Sequence, residues 1–126
     1  MKQNLFDING YVVVITGGTG VLGRTIAKYL AGQGAKVAIL GRKEDVGNSI
    51  VEEITNAGGE ASFYKTDVMN KETLEQNRAD ILARYGKVDT LLNAAGGNMK
   101  GATIGPDQNF FDLDPAQFQT VLNLNL

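Results

Sequence analysis

The chain has 126 residues, 43% of them apolar, with a formal net charge of −2 and a pI near 5.0. That length allows one domain at most, large enough to bury a real core, and the acidic balance with no Lys/Arg cluster gives nucleic acid nothing to bind. Cysteine and histidine are both absent, which excludes disulfides, thiolate nucleophiles, zinc-thiolate clusters and imidazole bases or ligands, so no metal site is expected.

The opening segment Met1-Lys2-Gln3-Asn4-Leu5-Phe6-Asp7 lacks the apolar core of a signal peptide. No stretch approaches the length of a membrane span, so a soluble cytoplasmic protein is expected. The first strand is predicted over Tyr11 to Thr16, a β-branched apolar run that feeds straight into a glycine turn. A helix follows, with Leu22, Ile26, Ala27 and Leu30 on one face and its stop at Gly32 and Gly34. Lys36 to Leu40 forms the second strand. Ile50, Val51, Ile54 and Ala57 mark the buried stripe of the next helix, which Gly58-Gly59 ends.

Ala61 to Lys65 is a third strand, less apolar and therefore placed nearer a sheet edge. Asn70 is positioned to cap a helix in which Leu74, Ile81, Leu82 and Tyr85 face inward, with Gly86 as its stop. Val88 to Asn93 is the fourth strand. After a loop rich in glycine and asparagine, Asp114-Pro115 opens a last helix whose Phe118, Val121 and Leu122 share a face. Strands and helices alternate with short connections. This is the pattern of an α/β, Rossmann-type doubly wound parallel sheet of about four strands in the order 3-2-1-4, with helices on both faces. A ligand belongs at the carboxyl ends of such strands, where Gly17, Gly41, Asp67 and Gly96 fall.

The glycine turn carries the chemistry. Gly18, Gly20 and Gly23 read as Gly-x-Gly-x-x-Gly, with one glycine for a tight turn, one for close approach of a pyrophosphate and one for packing helix on strand. The anion would sit on the helix N-terminus, where unpaired N–H groups and the positive end of the dipole converge. Sixteen glycines produce such spacings by chance; the strand before and the helix after make this one a dinucleotide site.

Thr16-Gly17-Gly18-Thr19-Gly20-Val21-Leu22-Gly23, Asp67-Val68 after the third strand, Asn93-Ala94-Ala95-Gly96 after the fourth and Asn125 in the last helix together resemble the short-chain dehydrogenase/reductase family over essentially the whole chain. Two positions depart from the family's usual pattern: Val21 stands where glycine is usual, and Ala94 where asparagine is. The resemblance implies that a nicotinamide dinucleotide is held by Gly17, Gly18, Thr19, Gly20, Val21, Leu22, Gly41, Arg42, Lys43, Asp67, Val68, Asn93, Ala94, Ala95 and Gly96. By it, Asp67 hydrogen-bonds the adenine amino group, Val68 packs on the adenine ring and the Asn93 segment steadies the strand beneath the nicotinamide ribose. It also implies hydride transfer to or from a small carbonyl or hydroxyl substrate, with Asn125 in the catalytic set through a water-linked path to a lysine. On the residues alone, Asp67 capping a turn and Asn93 satisfying a strand end stay open as readings. A buried amide such as that expected of Asn125 needs a partner.

The end of the second strand bears on the choice of cofactor, NAD or NADP. Gly41-Arg42-Lys43 supplies two cations and no acid, which suits the 2′-phosphate of NADP, although Glu44 and Asp45 follow at once and the glycine turn has no basic residue. Ala95-Gly96-Gly97-Asn98, Gly101-Ala102-Thr103 and Phe110-Phe111-Asp112-Leu113 are similar to the D-mannonate oxidoreductase branch of the family. That branch implies a sugar-acid substrate and NAD, against the reading of Arg42, and it departs from this chain at Met99-Lys100. Phe110-Phe111 reads first as core packing.

The family's chemistry needs a tyrosine with a lysine four residues later and a serine to hold the substrate oxygen. Four residues after Tyr11, Tyr29, Tyr64 and Tyr85 stand Ile15, Gln33, Val68 and Asp89, and Ser49 and Ser62 fall away from the expected site. The chain also ends inside a helix at Leu122-Asn123-Leu124-Asn125-Leu126. It is therefore expected to be the N-terminal, dinucleotide-binding part of a single longer domain, inactive by itself and self-associating through its fourth strand or last helix. The other class of function that remains is a non-catalytic nucleotide-binding or assembly module.

Overall fold

A computed structural model describes residues 4–126; the first three residues of the segment read for a signal peptide lie outside it. Two compact units divide the chain after Ala94. The first holds β1 (Val12–Thr16), α1 (Val21–Gly32), β2 (Lys36–Gly41), α2 (Glu44–Asn56), β3 (Glu60–Lys65), α3 (Lys71–Tyr85) and β4 (Thr90–Asn93). All strand pairs are parallel and the order is β3-β2-β1-β4, as the alternation of elements predicts.

Period-two alternation divides each strand between two layers of helix. Val13, Ile15, Val37, Ile39 and Ala61 pack with Ala27 and Ala31 of α1 and Ile50 and Ile54 of α2 on one face. On the other, Val14, Ala38 and Leu40 meet Ile81, with Leu74, Tyr64 and Tyr85 at the margin. Ile15, Ile39 and Ile50 are fully buried, each such side chain contributing about 1.5–3 kcal/mol. Gly47, in the first turn of α2, has its missing side chain's space filled by the Phe63 ring, so a residue that costs up to about 1 kcal/mol in a helix is required for α2 to lie on β3. Asn70 caps α3 as expected, accepting from the Thr73 N–H at 3.0 Å, and Gly86 ends it in the left-handed conformation.

Strand ends shift by one or two residues. β1 starts at Val12 rather than Tyr11, because the Tyr11 N–H is taken by the Ile8 carbonyl in a turn. β4 starts at Thr90 rather than Val88, and the latch before it explains where pairing begins: the Asp89 N–H donates to the Val12 carbonyl at 2.9 Å while its carboxylate accepts from the Val12 N–H at 2.8 Å. β2 runs on to Gly41, and β3 begins at Glu60. The outer place of β3 is as its composition predicts.

The second unit, residues 95–126, comprises 3-10 turns at Lys100–Ala102 and Phe110–Asp112 and a helix α4 (Pro115–Asn125) capped by Asp114. Here the expected packing of Phe110 and Phe111 does not occur: they are 68% and 91% exposed, edge to face with one another. The turn is closed locally, the Asn109 N–H donating to Asp112 and the Phe111 N–H to Asn109 Oδ1, which fixes the backbone of the pair without burying either ring. The predicted apolar face of α4 is only partly covered, with Phe118 exposed and Val121 and Leu122 half-buried. Among the described residues no helix is long and apolar enough to cross a membrane.

The Val12 N–H, and then the Lys87 ammonium at 2.9 Å, hold the Asp89 carboxyl below the usual carboxylate range. A lowered folded-state pKa stabilises the fold above the unfolded-state value and loses that effect as pH falls through the folded-state value. Asp89→Asn is expected to lower stability at neutral pH and to flatten the decline on acidification, as read by urea unfolding at a series of pH values between neutrality and the acid limb.

Candidate nucleotide-binding site

The turn after β1 is built by the absence of side chains. Gly17 adopts φ +66°, which glycine alone reaches without strain. A Cβ on Gly18 would come within 2.6 Å of Ile39 Cγ2, and one on Gly23 within 2.4 Å of the Gly17 carbonyl oxygen and 2.8 Å of Gly18 Cα. The roles read from the sequence are thus redistributed: the left-handed turn falls on Gly17, Gly18 seats the turn on β2, and Gly23 brings α1 against it. Gly20 is different. It is extended at φ −75°, ψ 170°, and a Cβ there meets the Gly17 carbonyl oxygen only at 3.4 Å, so its surroundings are open.

Gly20 is also the N-cap of α1, with no side-chain cap and no acidic residue in the first turn. By contrast α2 has Glu44 and Asp45 in its first turn, and α3 and α4 are capped by Asn70 and Asp114. The N–H groups and positive dipole end of α1 therefore meet neither a capping side chain nor a first-turn carboxylate. Val21, where the family's usual residue is glycine, lies in the first helical turn without positive φ and points outward, 88% exposed. A β-branched side chain is accommodated there without strain. Leu22 is exposed beside it.

Beyond this turn the ends of β2 and β3 open a cleft of about 300 Å³, lined by Arg42, Lys65, Thr66, Asp67 and Thr73. Thr19 lies over Gly41, whose own Cβ would come within 2.6 Å of Thr19 Cγ2. Arg42, Lys43 and Lys65 are exposed and form no ion pair among the described residues. Asp67 does form the turn that the residues alone allowed: its Oδ1 accepts from the Met69 N–H at 3.0 Å and its carbonyl from the Asn70 N–H at 2.9 Å. Those bonds leave Oδ2 for another donor, so turn and ligand contact are compatible. Val68 is half-buried next to it.

Lys65, Thr66 and Thr73 were not singled out from the sequence. Lys65 was legible in principle, because it ends β3 in register with Gly41. Thr73 arrives by the fold of α3.

Asn93 ends β4 opposite Thr16, and the Ala94 N–H continues the ladder onto the Thr16 carbonyl at 3.1 Å. Ala95 and Gly96 belong to the second unit. There Asn125 is exposed rather than buried, yet its amide is fully engaged. It donates to the carbonyls of Gly97 and Val121, both at 2.8 Å, and accepts from the Gly97 N–H at 3.2 Å. A Cβ on Gly96 would come within 2.7 Å of its Oδ1, so the Gly96-Gly97 loop is shaped around this one side chain. Neither Ser62 nor Tyr85 has a part in the cleft: their hydroxyls pair at 2.8 Å between β3 and α3, and burial pushes the Tyr85 phenol up.

Residues 11–126 match the short chain dehydrogenase family, and the chain belongs to it. It is 43% identical over 127 residues to the uncharacterized oxidoreductase UxuB of Bacillus subtilis (strain 168), covering 94% of this chain and 46% of that protein. Among solved structures, it superposes with a TM-score of 0.86 and 33% identity on a candidate D-mannonate oxidoreductase from Haemophilus influenza with bound NAD, covering 94% of this chain and 46% of that one. A metagenomic short-chain oxidoreductase in complex with NADP matches with a TM-score of 0.80 and 29% identity, over 94% and 51% of the two chains. The chain spans about half the length of these relatives.

The two glycines separate packing from ligand space. Gly23→Ala is expected to destabilise the protein by about 1–3 kcal/mol, since backbone atoms oppose the new methyl group, whereas Gly20→Ala is expected to stay within about 0.5 kcal/mol. Chemical denaturation of both variants measures the difference.

Proposed function

We propose that this protein is a nicotinamide-dinucleotide-dependent oxidoreductase, and that the residues described here form its cofactor-binding part. The uncapped N-terminus of α1 at Gly20, with open space in front of it, carries the reading. A pyrophosphate there would accept from the first-turn N–H groups, with Gly17, Gly18, Thr19, Val21 and Leu22 shaping its seat. The adenosine end would lie in the cleft at Arg42 and Asp67, its amino group donating to Asp67 and its ring against Val68. Asn93, Ala94, Ala95 and Gly96 are the residues assigned to the nicotinamide side. The bound nicotinamide supplies or accepts the hydride. Asn125 enters the catalytic set as a holder of the Gly97 peptide, one side of the water-linked path proposed for it.

Gly41 carries no carboxylate to repel a 2′-phosphate, and Arg42, Lys43 and Lys65 are exposed cations near the strand ends with no ion pair among the described residues, which supports NADP; the relative with bound NAD supports the other cofactor. A sugar acid of the D-mannonate type is the substrate class supported by the same relative. The reading includes a cytoplasmic homo-oligomer, joined through edge strand β4 or α4, where Leu91 and Phe118 are exposed.

Gly20→Asp places bulk and negative charge where the pyrophosphate would bind, and is expected to abolish binding of NAD and NADP with the fold retained. Unchanged affinity in calorimetry would overturn the assignment of this turn. Arg42→Ala is expected to weaken NADP by about 10–100-fold and NAD much less, because a charge-assisted contact contributes about 1.5–3 kcal/mol. Equal losses for the two cofactors would make Arg42 an ordinary surface charge.

A further inference from the structure

α3 carries one side chain that its position does not explain. Leu74 and Ile81 face the sheet, and between them, on the same helix face, stands Asn77, only 6% exposed. A leucine would fill such a place with no polar group to satisfy. The Asn77 amide instead donates to Thr66 Oγ1 at 2.6 Å, and the Thr66 hydroxyl donates its own proton to the Tyr64 carbonyl at 2.8 Å. Thr66, itself buried, is thus fixed as both acceptor and donor, and its backbone N–H donates to the Gly41 carbonyl at 2.8 Å, one step past the end of β3.

The next residue is Asp67. From Thr66 to Asn70 the chain makes a tight turn along one edge of the nucleotide cleft, and this turn is tied to α3 twice. Asn70 caps the helix by accepting from the Thr73 N–H, and Asn77, one helical turn further on, grips Thr66. The two ties bracket Asp67, whose Oδ1 is already used by Met69 and whose Oδ2 remains. A carboxylate recognises a single amino group only when held to within about 0.5 Å of its place, which takes a supporting hydrogen bond of defined direction. An apolar pair at 66 and 77 would fill the volume without that direction.

We infer that Asn77 is a positioning residue for the nucleotide site, acting through Thr66 to hold the Asp67 carboxylate where an adenine amino group reaches it. This rests on the reading of Asp67 given above. The test compares calorimetric affinities for NAD and for its hypoxanthine analogue, which has an oxo group in place of the amino group. The native protein is expected to favour adenine by about tenfold or more, the value of one hydrogen bond to a charged group, and Asp67→Ala to lose that preference. The double variant Thr66→Val/Asn77→Leu replaces both polar partners together, so its thermal midpoint is expected within about 5 °C of the native one. Its preference for adenine is expected to fall at least threefold, with affinity for the hypoxanthine analogue unchanged.

If Asp67→Ala loses the preference and the double variant keeps it, Asn77 only fills space and the inference is overturned. If Asp67→Ala itself keeps the preference, the adenine contact is wrong and the inference falls with it. Should the double variant not fold, Thr66→Ser, which retains the hydroxyl, is expected to keep the preference and Thr66→Ala to lose it; equal preferences in those two variants overturn the proposal.

Discussion

The structure depends on how closely α1 can approach the end of β1. A Cβ at Gly23 would be 2.4 Å from the Gly17 carbonyl oxygen, and one at Gly18 would enter Ile39. With hydrogen at both places the helix starts hard against the sheet, over a core in which Ile15 and Ile39 are completely buried. The same proximity aims the helix N-terminus at the carboxyl ends of the strands. Packing and binding geometry therefore share one cause.

Many polar groups of the chain are satisfied by the chain itself. Asp89 and Val12 latch β4 to β1 by reciprocal bonds, Asn70 and Asp114 cap their helices, and Asn125 clamps the Gly97 peptide. Even the α1–α2 surface is tied, with Arg24 and Lys28 both on Glu53, which the Lys28 contact above all holds below the usual carboxylate range. By contrast α1 has neither a capping side chain nor a first-turn acid, and Arg42, Lys43 and Lys65 form no ion pair among the described residues. In the family to which the chain belongs, unsatisfied groups at strand ends are where a dinucleotide is bound.

Departures from the family's usual residues are local in effect. Val21 replaces a glycine at a helical position with room outside, so no conformational freedom is lost. Ala94 still continues the ladder because that bond is made by the backbone. Apart from these two positions, Gly41 at the end of β2 leaves its side-chain space to Thr19, and Arg42 and Lys65 line the cleft beside it.

From sequence alone came the four strands, the caps at Asn70 and Asp114, the stop at Gly86 and the glycine turn after β1, because each follows from local chemistry: β-branched runs, Asx capping, glycine at left-handed positions; the strand order followed from the handedness of the crossovers. Tertiary structure decided what depends on neighbours remote in the chain. Which glycine turns and which merely makes room was settled by Ile39 and Gly17, and the engagement of Asn125 by Gly97; among the described residues the Phe110 and Phe111 rings found no aromatic partner but each other. The grip of Asn77 on Thr66 had no local signal at all, since an asparagine on a helix reads as polar surface until the partner eleven residues away is brought beneath it. Hydrogen bonds between side chains of different elements depend on distance in space, and hydrophobic periodicity records only which way a residue faces.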